Sequence, residues 1–172
     1  MTTILLARHG ETDWNRDGRV QGHSDPPLNE MGRLQALALA EALAVRPLTA
    51  VYSSDLARAR ETAAAVATPL GLDVHADPDL REKFFGSWEG LTDVEIAKRF
   101  PAAARGQWGD GETTEDVAQR ALAALGRIVA AHPDGTVLVV SHGGAIRAML
   151  HHHGVDHGPI GNCYLIVLEL PR

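Results

Sequence analysis

Two histidines in matching sequence contexts are the first candidates for chemistry in this chain. His9 lies in the stretch LLARHG and His142 in the stretch VVSHGG. Each follows an apolar run typical of a buried strand and precedes a glycine, which lets the backbone turn sharply and approach a ligand. One such histidine would more often simply end a strand. Two in the same context favour a shared site beyond the carboxyl ends of parallel strands, where ligands bind in open α/β sheets.

Further polar side chains suit the same edge, and their types indicate an anion site. Arg8 and Arg58 can each present a fork of N–H donors to phosphate oxygens, and Asn15 can add a neutral donor. Arg58 follows a short apolar run and lies near an expected helix start, whereas Arg60 has the character of a solvated helix residue. Phosphoryl transfer requires mainly positioning and charge stabilisation, so these groups could support it without a metal.

The stretch RHGET at 8–12, followed by Trp14 and Asn15, resembles the signature of the histidine phosphatase (phosphoglycerate mutase-like) superfamily. Four later motifs extend the resemblance along nearly the whole chain in the family's order. They are QG at 21–22, SSDL at 53–56 with Arg58, LRE at 80–82 with FGSWEG at 85–90, and SHGG at 141–144. The first motif alone would be weak evidence, but five ordered motifs are specific and indicate a short, phosphatase-type member.

The resemblance implies a role for each candidate residue. His9 attacks phosphorus and forms a phosphohistidine, which divides one hard step into two easier ones. Glu82 protonates the leaving oxygen and then activates the water that hydrolyses the intermediate. The phosphoryl oxygens and the substrate are expected to contact Arg8, Arg58, His142, Asn15, Gln21, Gly22 and Gly143.

This chemistry constrains the protonation of the two histidines. His9 must be neutral at its attacking nitrogen, whereas a charged His142 would serve as a donor. Imidazole titrates near pH ~6.5 when unperturbed, so modest local effects can set both states. Glu11 and Glu89 are rivals of Glu82 as the acid. For both we expect a local role in supporting the chain around them.

The run His151-His152-His153 does not predict a metal site. Consecutive helical residues point about 100° apart, so three in a row cannot chelate one ion together. No metal or cofactor is expected, although a metallohydrolase assembled from distant segments stays open as an alternative. The sequence also lacks the glycine-rich phosphate loops of nucleotide-binding proteins and the GxSxG of nucleophile elbows.

Composition limits the number of domains, the cellular location and the kind of partner that can be expected. The 172 residues, 45% of them hydrophobic and with a net charge of −6, suit one domain spanning residues 1–172. The single cysteine, Cys163, cannot form an internal disulfide, and neither a signal peptide nor a membrane span is evident, so a cytoplasmic location is expected. The absence of a Lys/Arg run disfavours nucleic acid. The expected partner is a small phosphorylated metabolite, and a homodimer is left open.

The elements that must position these residues alternate between strand and helix. Strands are predicted at 3–7, 49–52, 74–76, 136–140 and 161–168, and helices at 29–44, 55–67, 93–99, 114–131 and 145–152. Asp55 or Ser54 is the expected cap of the second helix. Asn162 and Cys163 are expected to be structural, with a position of Asn162 in the pocket left open as an alternative. The alternation predicts an α/β fold with a mostly parallel sheet, and the resemblance implies its three-layer α/β/α form.

The length of the segment 91–111 distinguishes an expected hydrolase from a mutase. It is shorter than the segment that covers the pocket in the family's mutases, which must exclude water while a bisphosphate reorients. A phosphomonoesterase is therefore expected. Mutase-type phosphoryl transfer, a catalytically silent phosphate-binding module and a phosphatase or scaffold acting on a partner protein are the alternatives. Trp14, His23, Phe84 and Trp108 are expected to decide the substrate.

Overall fold

The computed structural model describes residues 1–102 and 109–171. Within these ranges, five strands form one sheet in the order β3-β2-β4-β1-β5. They are β1 (Thr2–Arg8), β2 (Ala50–Ser53), β3 (Val74–Ala76), β4 (Thr136–Ser141) and β5 (Leu165–Leu170). The first four run parallel, and β5 pairs antiparallel with β1 at the edge. The predicted mostly parallel α/β sheet is confirmed.

Helices cover both faces of this sheet. They are α1 (Asp13–Arg16), α2 (Glu30–Leu43), α3 (Ala57–Ala67), α4 (Asp93–Arg99), α5 (Thr114–Ala131) and α6 (Gly143–His152), with 3₁₀ turns at Thr68–Leu70, Pro78–Leu80 and Gly86–Trp88. The buried residues of α2 and α3 form a core on one face, and those of α5 and α6 form a core on the other. No helix among the described residues has the length and apolar character needed to cross a bilayer.

The central strands are apolar on both faces because both faces are covered. Along β1, Ile4 and Leu6 pack in the core beneath α5 and α6, whereas Leu5 and Ala7 pack beneath α2 and α3. The register pairs Arg8 with Ser141 at the carboxyl ends of β1 and β4. The residue after each strand is a candidate histidine, so the pairing of two neighbouring strands places His9 beside His142.

The start of α3 differs from the prediction because a distant residue caps it. Leu56 occupies the N-cap position without a side-chain hydrogen bond. Instead, Asp25 Oδ1 accepts from the backbone N–H of Ala57 at 2.7 Å. Asp55, one expected cap, accepts two hydrogen bonds from Arg81, and Ser54 Oγ accepts only from Leu56 N at 3.3 Å.

The last strand and one short helix also differ from the prediction. The chain at 161–164 forms a turn, in which Cys163 has a φ of +54° and Tyr164 N donates to the carbonyl of Gly161. The closing strand therefore begins at Leu165 rather than at residue 161. The helix α1 was not predicted, because its four residues are too few to show a helical period. Its N-cap Thr12 and Asn15 form a reciprocal capping box.

The beginning of α2 packs directly on the loop that follows β1. A Cβ on Gly32 would overlap the backbone of Glu11, and a Cβ on Gly10 would meet the carbonyl oxygen of Gly32. Gln35 Oε1 accepts from the N–H of Glu11 at 2.8 Å, and Asn29 Nδ2 donates to its carboxylate at 2.9 Å. Two glycines thus let helix and loop approach to backbone contact.

Replacing Gly32 with alanine is expected to destabilise the fold by about 1–3 kcal/mol, the usual cost of overpacking. The matched control is Gly126→Ala within α5, where an added Cβ meets no atom within 4 Å. Alanine there should stabilise the helix by about 0.5–1 kcal/mol. Urea unfolding of both variants measures the difference, and a Gly32→Ala protein as stable as the wild type would contradict the close contact.

Candidate active site

His9 and His142 lie side by side at the carboxyl edge of the sheet. His9 is 2% exposed and His142 is fully buried. Their ring centroids are 5.0 Å apart and the ring planes are inclined at 58°. The sequence-based expectation that both imidazoles meet at one sheet edge therefore agrees with the structure.

A single hydrogen bond sets the tautomer of His9. The ring nitrogen Nδ1 lies 2.6 Å from the carbonyl oxygen of Gly10. Because a carbonyl can only accept, Nδ1 carries the hydrogen and the lone pair resides on Nε2. Burial lowers the pKa of His9 well below its ordinary value, and the positive charges of Arg58 and Arg8 lower it further. The imidazole is neutral and nucleophilic at Nε2.

His142 has neither ring nitrogen paired within the described part of the chain. Burial lowers its pKa well below the ordinary value, and the charge of Arg58 adds to the effect. The expectation of a charged His142 is therefore wrong for the free site, because desolvation and neighbouring cations both disfavour the imidazolium. A neutral ring still offers one N–H donor, and a bound dianion would favour the charged form.

Two arginines add unpaired donors beside these rings. Arg58 is fully buried, and its Nη1 and Nη2 each donate at 2.8 Å to the carbonyl oxygens of Ser24 and Gly22. Arg8 Nη1 donates to the carbonyl oxygen of Ile160 at 2.6 Å. In both arginines the Nε atom is buried without a partner in the described residues. Burial lowers the pKa of Arg58 to about 10, which still leaves it charged near neutral pH.

These orphaned N–H groups define what the site can hold. Buried donors without acceptors are costly and rare, so their concentration at one sheet edge calls for an acceptor from outside the chain. The donors are cationic or imidazole N–H groups with no carboxylate bonded to them. A small oxyanion satisfies this arrangement, which is preorganised because the guanidinium groups are already fixed by backbone carbonyls.

Glu82 lies beside the turn that carries His142. Its Oε2 accepts from the N–H of Gly144 at 2.9 Å, and its Oε1 accepts from Lys83 N at 2.9 Å. Burial is the largest influence on the pKa values of Arg8 and Arg58, and the charge of Glu82 opposes it in both. The carboxyl group is thus within electrostatic reach of both arginines.

An arginine that the sequence analysis did not single out holds the main chain of Glu82. Arg120 Nη2 donates to the Glu82 carbonyl at 2.8 Å, and Nη1 donates to the carbonyls of Asp79 and Arg81 at 2.9 and 2.6 Å. The carboxylate of Glu112 binds Arg120 Nε and Nη2, each at 2.8 Å, and accepts from Phe84 N. We call Arg120 and Glu112 the clamp.

His23 completes the support of this segment. Its Nε2 lies 2.9 Å from the Glu82 carbonyl, and its ring packs on Phe84 with centroids 5.3 Å apart. Two residues expected to select substrate therefore contact the chain around Glu82. The stretch GET at 111–113, which contains Glu112, is the sequence feature that could have located the clamp.

The two carboxylates considered as rivals of Glu82, those of Glu89 and Glu11, stabilise loops. Glu89 accepts from the backbone N–H groups of His23 and Ser24 at 2.9 and 2.8 Å and from Ser24 Oγ at 2.6 Å. It thereby fixes the segment whose carbonyls bind Arg58, and its carboxylate can approach because Gly22 has no Cβ, which would overlap Glu89 Oε1. Glu11 binds Asn29 in the loop after β1.

Amide side chains line the other side of the two histidines. Asn15 Oδ1 accepts from Thr12 N at 3.2 Å and from Asn162 Nδ2 at 3.3 Å, which leaves Asn15 Nδ2 as a donor without a partner among the residues described. Asn162 Nδ2 also donates to the His9 carbonyl at 3.0 Å. Gln21 Oε1 accepts from Thr12 Oγ1 at 2.9 Å. Asn162 thus reaches the candidate site, where it contacts the main chain of His9 and the side chain of Asn15.

The remaining candidates fall into three places. Gly143 lies beside Arg8, since a Cβ there would stand 3.8 Å from Arg8 Nε. Trp14 packs over Gly90 at the rim. The run 151–153 lies at the opposite end of α6 from His142, about 15 Å away along the helix. Trp108 lies outside the described residues.

The buried neutral histidines predict how stability changes with pH. Both pKa values are lowered on folding, so below about pH 6.5 the unfolded chain binds more protons than the folded protein. Stability should therefore fall as pH falls from about 7 to about 5, by about 1.4 kcal/mol per pH unit for each histidine. Urea unfolding should show a shallower slope for His142→Asn, whereas His151→Asn, at an exposed residue, should keep the wild-type slope. Equal slopes in all three proteins would contradict the burial of a neutral His142.

Comparison with known proteins agrees with this geometry. The model of the histidine phosphatase superfamily (branch 1) matches residues 4–170. The chain is 43% identical over 161 residues to a metal-independent phosphoserine phosphatase of Arabidopsis thaliana, covering 87% of this chain and 67% of that protein. It is 39% identical over 162 residues to a glucosyl-3-phosphoglycerate phosphatase of Mycobacterium tuberculosis, covering 85% and 72%.

A solved structure, that of Bacillus stearothermophilus YhfR, superposes with a TM-score of 0.91 at 36% identity, covering 99% of this chain and 92% of that one. The two histidines at neighbouring strand ends, the oxyanion donors around them and a family match over almost the full length lead to one assignment. The chain belongs to the histidine phosphatase superfamily, branch 1.

Proposed function

We propose that this protein is a phosphomonoesterase that hydrolyses a small phosphorylated metabolite through a phosphohistidine on His9. The observation that carries the proposal is the neutral, buried His9, whose Nδ1 is held by Gly10 and whose Nε2 is left as a lone pair. Unpaired N–H groups of Arg8, Arg58 and His142 surround that nucleophile. A phosphate-binding module would need the donors but not a nucleophile of fixed tautomer.

The reaction proceeds in two displacements at phosphorus. His9 Nε2 forms a bond to phosphorus as the bond to the ester oxygen breaks, and Glu82 gives that oxygen a proton. Water then attacks the phosphohistidine, Glu82 takes its proton, and His9 leaves with phosphate as the product. Arg8, Arg58, His142 and Asn15 hold the phosphoryl oxygens, while Gln21, Gly22 and Gly143 line the pocket. Fixed cationic donors supply the charge stabilisation, so no metal is assigned.

The substrate class is inferred from the burial of His9 and from the relatives. A phosphomonoester must reach a nucleophile that is almost entirely buried, so the phosphoryl group enters and the alcohol part remains at the rim near Trp14, His23 and Phe84. The similar proteins are named for phosphoserine and glucosyl-3-phosphoglycerate. Phosphoserine and phosphoglycerate derivatives are therefore the first substrates to test.

The proposal includes the setting of the reaction. Such metabolites are intracellular, and a single, half-buried Cys163, whose thiol pKa burial raises to about 11, suits a reducing compartment. We infer a cytoplasmic enzyme with residues 1–172 acting as one domain.

His9→Ala is expected to abolish hydrolysis of p-nitrophenyl phosphate, with a loss of roughly 10³-fold or more, because the covalent route is removed. Hydrolysis by the wild type should persist in EDTA. His151→Ala, at an exposed histidine at the opposite end of α6 from His142, is the control and should retain wild-type activity. Activity surviving in His9→Ala, or lost with EDTA, would overturn the nucleophile assignment in favour of a metallohydrolase. With a phosphoglycerate as substrate, transfer of the phosphoryl group to a second phosphoglycerate molecule instead of to water would identify a mutase.

Variants of the clamp should lose activity to an extent that depends on the leaving group of the substrate. Arg120→Lys and Glu112→Gln release the main chain of Glu82, so proton donation should suffer most where the leaving oxygen is most basic. We expect kcat/KM to fall by about tenfold for alkyl phosphates and much less for aryl phosphates. Arg127→Lys, on the same helix but paired with Asp77 and Asp79, is the matched control. Equal losses for both substrate types would show general damage rather than a displaced acid.

A further inference from the structure

The outward face of α2 is apolar, although it faces solvent. Met31, Leu34 and Leu37 are 51%, 56% and 54% exposed, and Val45, just beyond the helix, is 92% exposed. The opposite face of α2 is buried at Gly32, Ala36, Leu39 and Leu43, of which Leu39 and Leu43 belong to the core shared with α3 and the sheet. A surface helix ordinarily carries polar residues opposite its buried stripe.

The exposed apolar residues lie in a strip along one side of α2. Positions 31, 34 and 38 follow the i, i+3, i+7 spacing of a single helix face, and Val45 follows beyond the end of the helix, with Glu41 between it and Ala38. Leu37 widens the strip on one side. We call these residues the α2 strip. The 14-residue helix is about 21 Å long, so the strip extends over most of one side of the molecule's α2–α3 layer.

Charges beside the strip are arranged to match a second copy of the same helix. Arg33 and Glu41 lie four residues before and four after Leu37, in the same i, i+4 row of the helix surface. Eight residues separate them by about 12 Å, too far to pair within one helix. Neither has an ion-pair partner in the part of the chain described, and Arg33 uses only Nη1, at 2.7 Å, on the Leu28 carbonyl. Both remain available at the surface.

We propose that α2 forms the interface of a homodimer in which two α2 helices pack antiparallel about a twofold axis at Leu37. In that arrangement Leu37 meets Leu37 of the second copy. Arg33 faces Glu41 of the second copy, and the symmetry repeats this ion pair on the other side. Parallel packing would instead align like charges. The self-complementary order of apolar and charged residues selects a second copy as the occupant.

The size of the strip sets the expected strength. One pair of helices of this length buries less than the ~1,200 Å² typical of stable interfaces. The dimer should therefore be in equilibrium with monomer at micromolar concentration rather than permanent. The catalytic residues lie at the sheet edge and not on the α2 strip, so each copy keeps a complete site.

Sedimentation velocity across a concentration series tests the pairing. Wild type should shift from monomer to dimer with rising concentration, and Leu37→Glu should remain monomeric. Val94→Lys, which changes a 79% exposed apolar residue on α4, is the matched control and should dimerise like wild type. A thermal melt by circular dichroism confirms that each variant is folded. A wild type that is monomeric throughout, or a Leu37→Glu protein that still dimerises, would overturn the proposal.

Charge reversal separates this arrangement from any other dimer. Arg33→Glu alone and Glu41→Arg alone should each weaken dimerisation by about tenfold, since each creates two like-charge contacts. The double variant Arg33→Glu/Glu41→Arg should restore the wild-type dissociation constant to within about threefold. Single variants that dimerise normally, or a double variant that is not restored, would exclude antiparallel α2 pairing.

Discussion

Buried cationic N–H groups without internal acceptors are the constraint on which the site depends. Arg58 is completely enclosed, and its charge is only partly compensated by two backbone carbonyls and by Asp25 at 3.9 Å. A fold optimised for stability alone would pair these groups fully. The unpaired Nε atoms of the two arginines and the unpaired imidazole of His142 are instead available to bind an oxyanion. The same desolvation keeps His9 neutral, so one environment sets the protonation of the proposed nucleophile and leaves the proposed anion-binding donors unpaired.

Three arginines organise the site through the backbone rather than through carboxylates alone. Arg8 holds the carbonyl of Ile160, Arg58 holds the loop at 22–24, and Arg120 holds the segment at 79–82. Each arginine connects an irregular segment to a regular element of the sheet or its helices. The loops that bear the proposed catalytic groups are thereby fixed in the free protein, which would lower the reorganisation required in the transition state.

Much of the fold and of the site could be predicted because it depends on local patterns. Apolar runs ending in His-Gly located His9 and His142 at strand ends, and the parallel pairing of β1 with β4 then made them neighbours. The cap of α3 could not be predicted, because Asp25 supplies it from 32 residues away. The clamp was missed for the same reason: an arginine that binds carbonyls has no periodic signature. The lowered pKa of His142 could not be predicted either, because its burial among cations depends on the assembled fold.

The covalent bond between phosphorus and His9 is the central step of the proposed reaction. The most direct measurement mixes the protein with an aryl phosphate, quenches within milliseconds in alkali and locates the phosphoryl group by peptide mass spectrometry. The account predicts one added phosphoryl group on the peptide containing His9, labile to acid and stable to alkali, and none in His9→Ala. Hydrolysis without any phosphoryl-protein adduct, or an adduct on another residue, would contradict it.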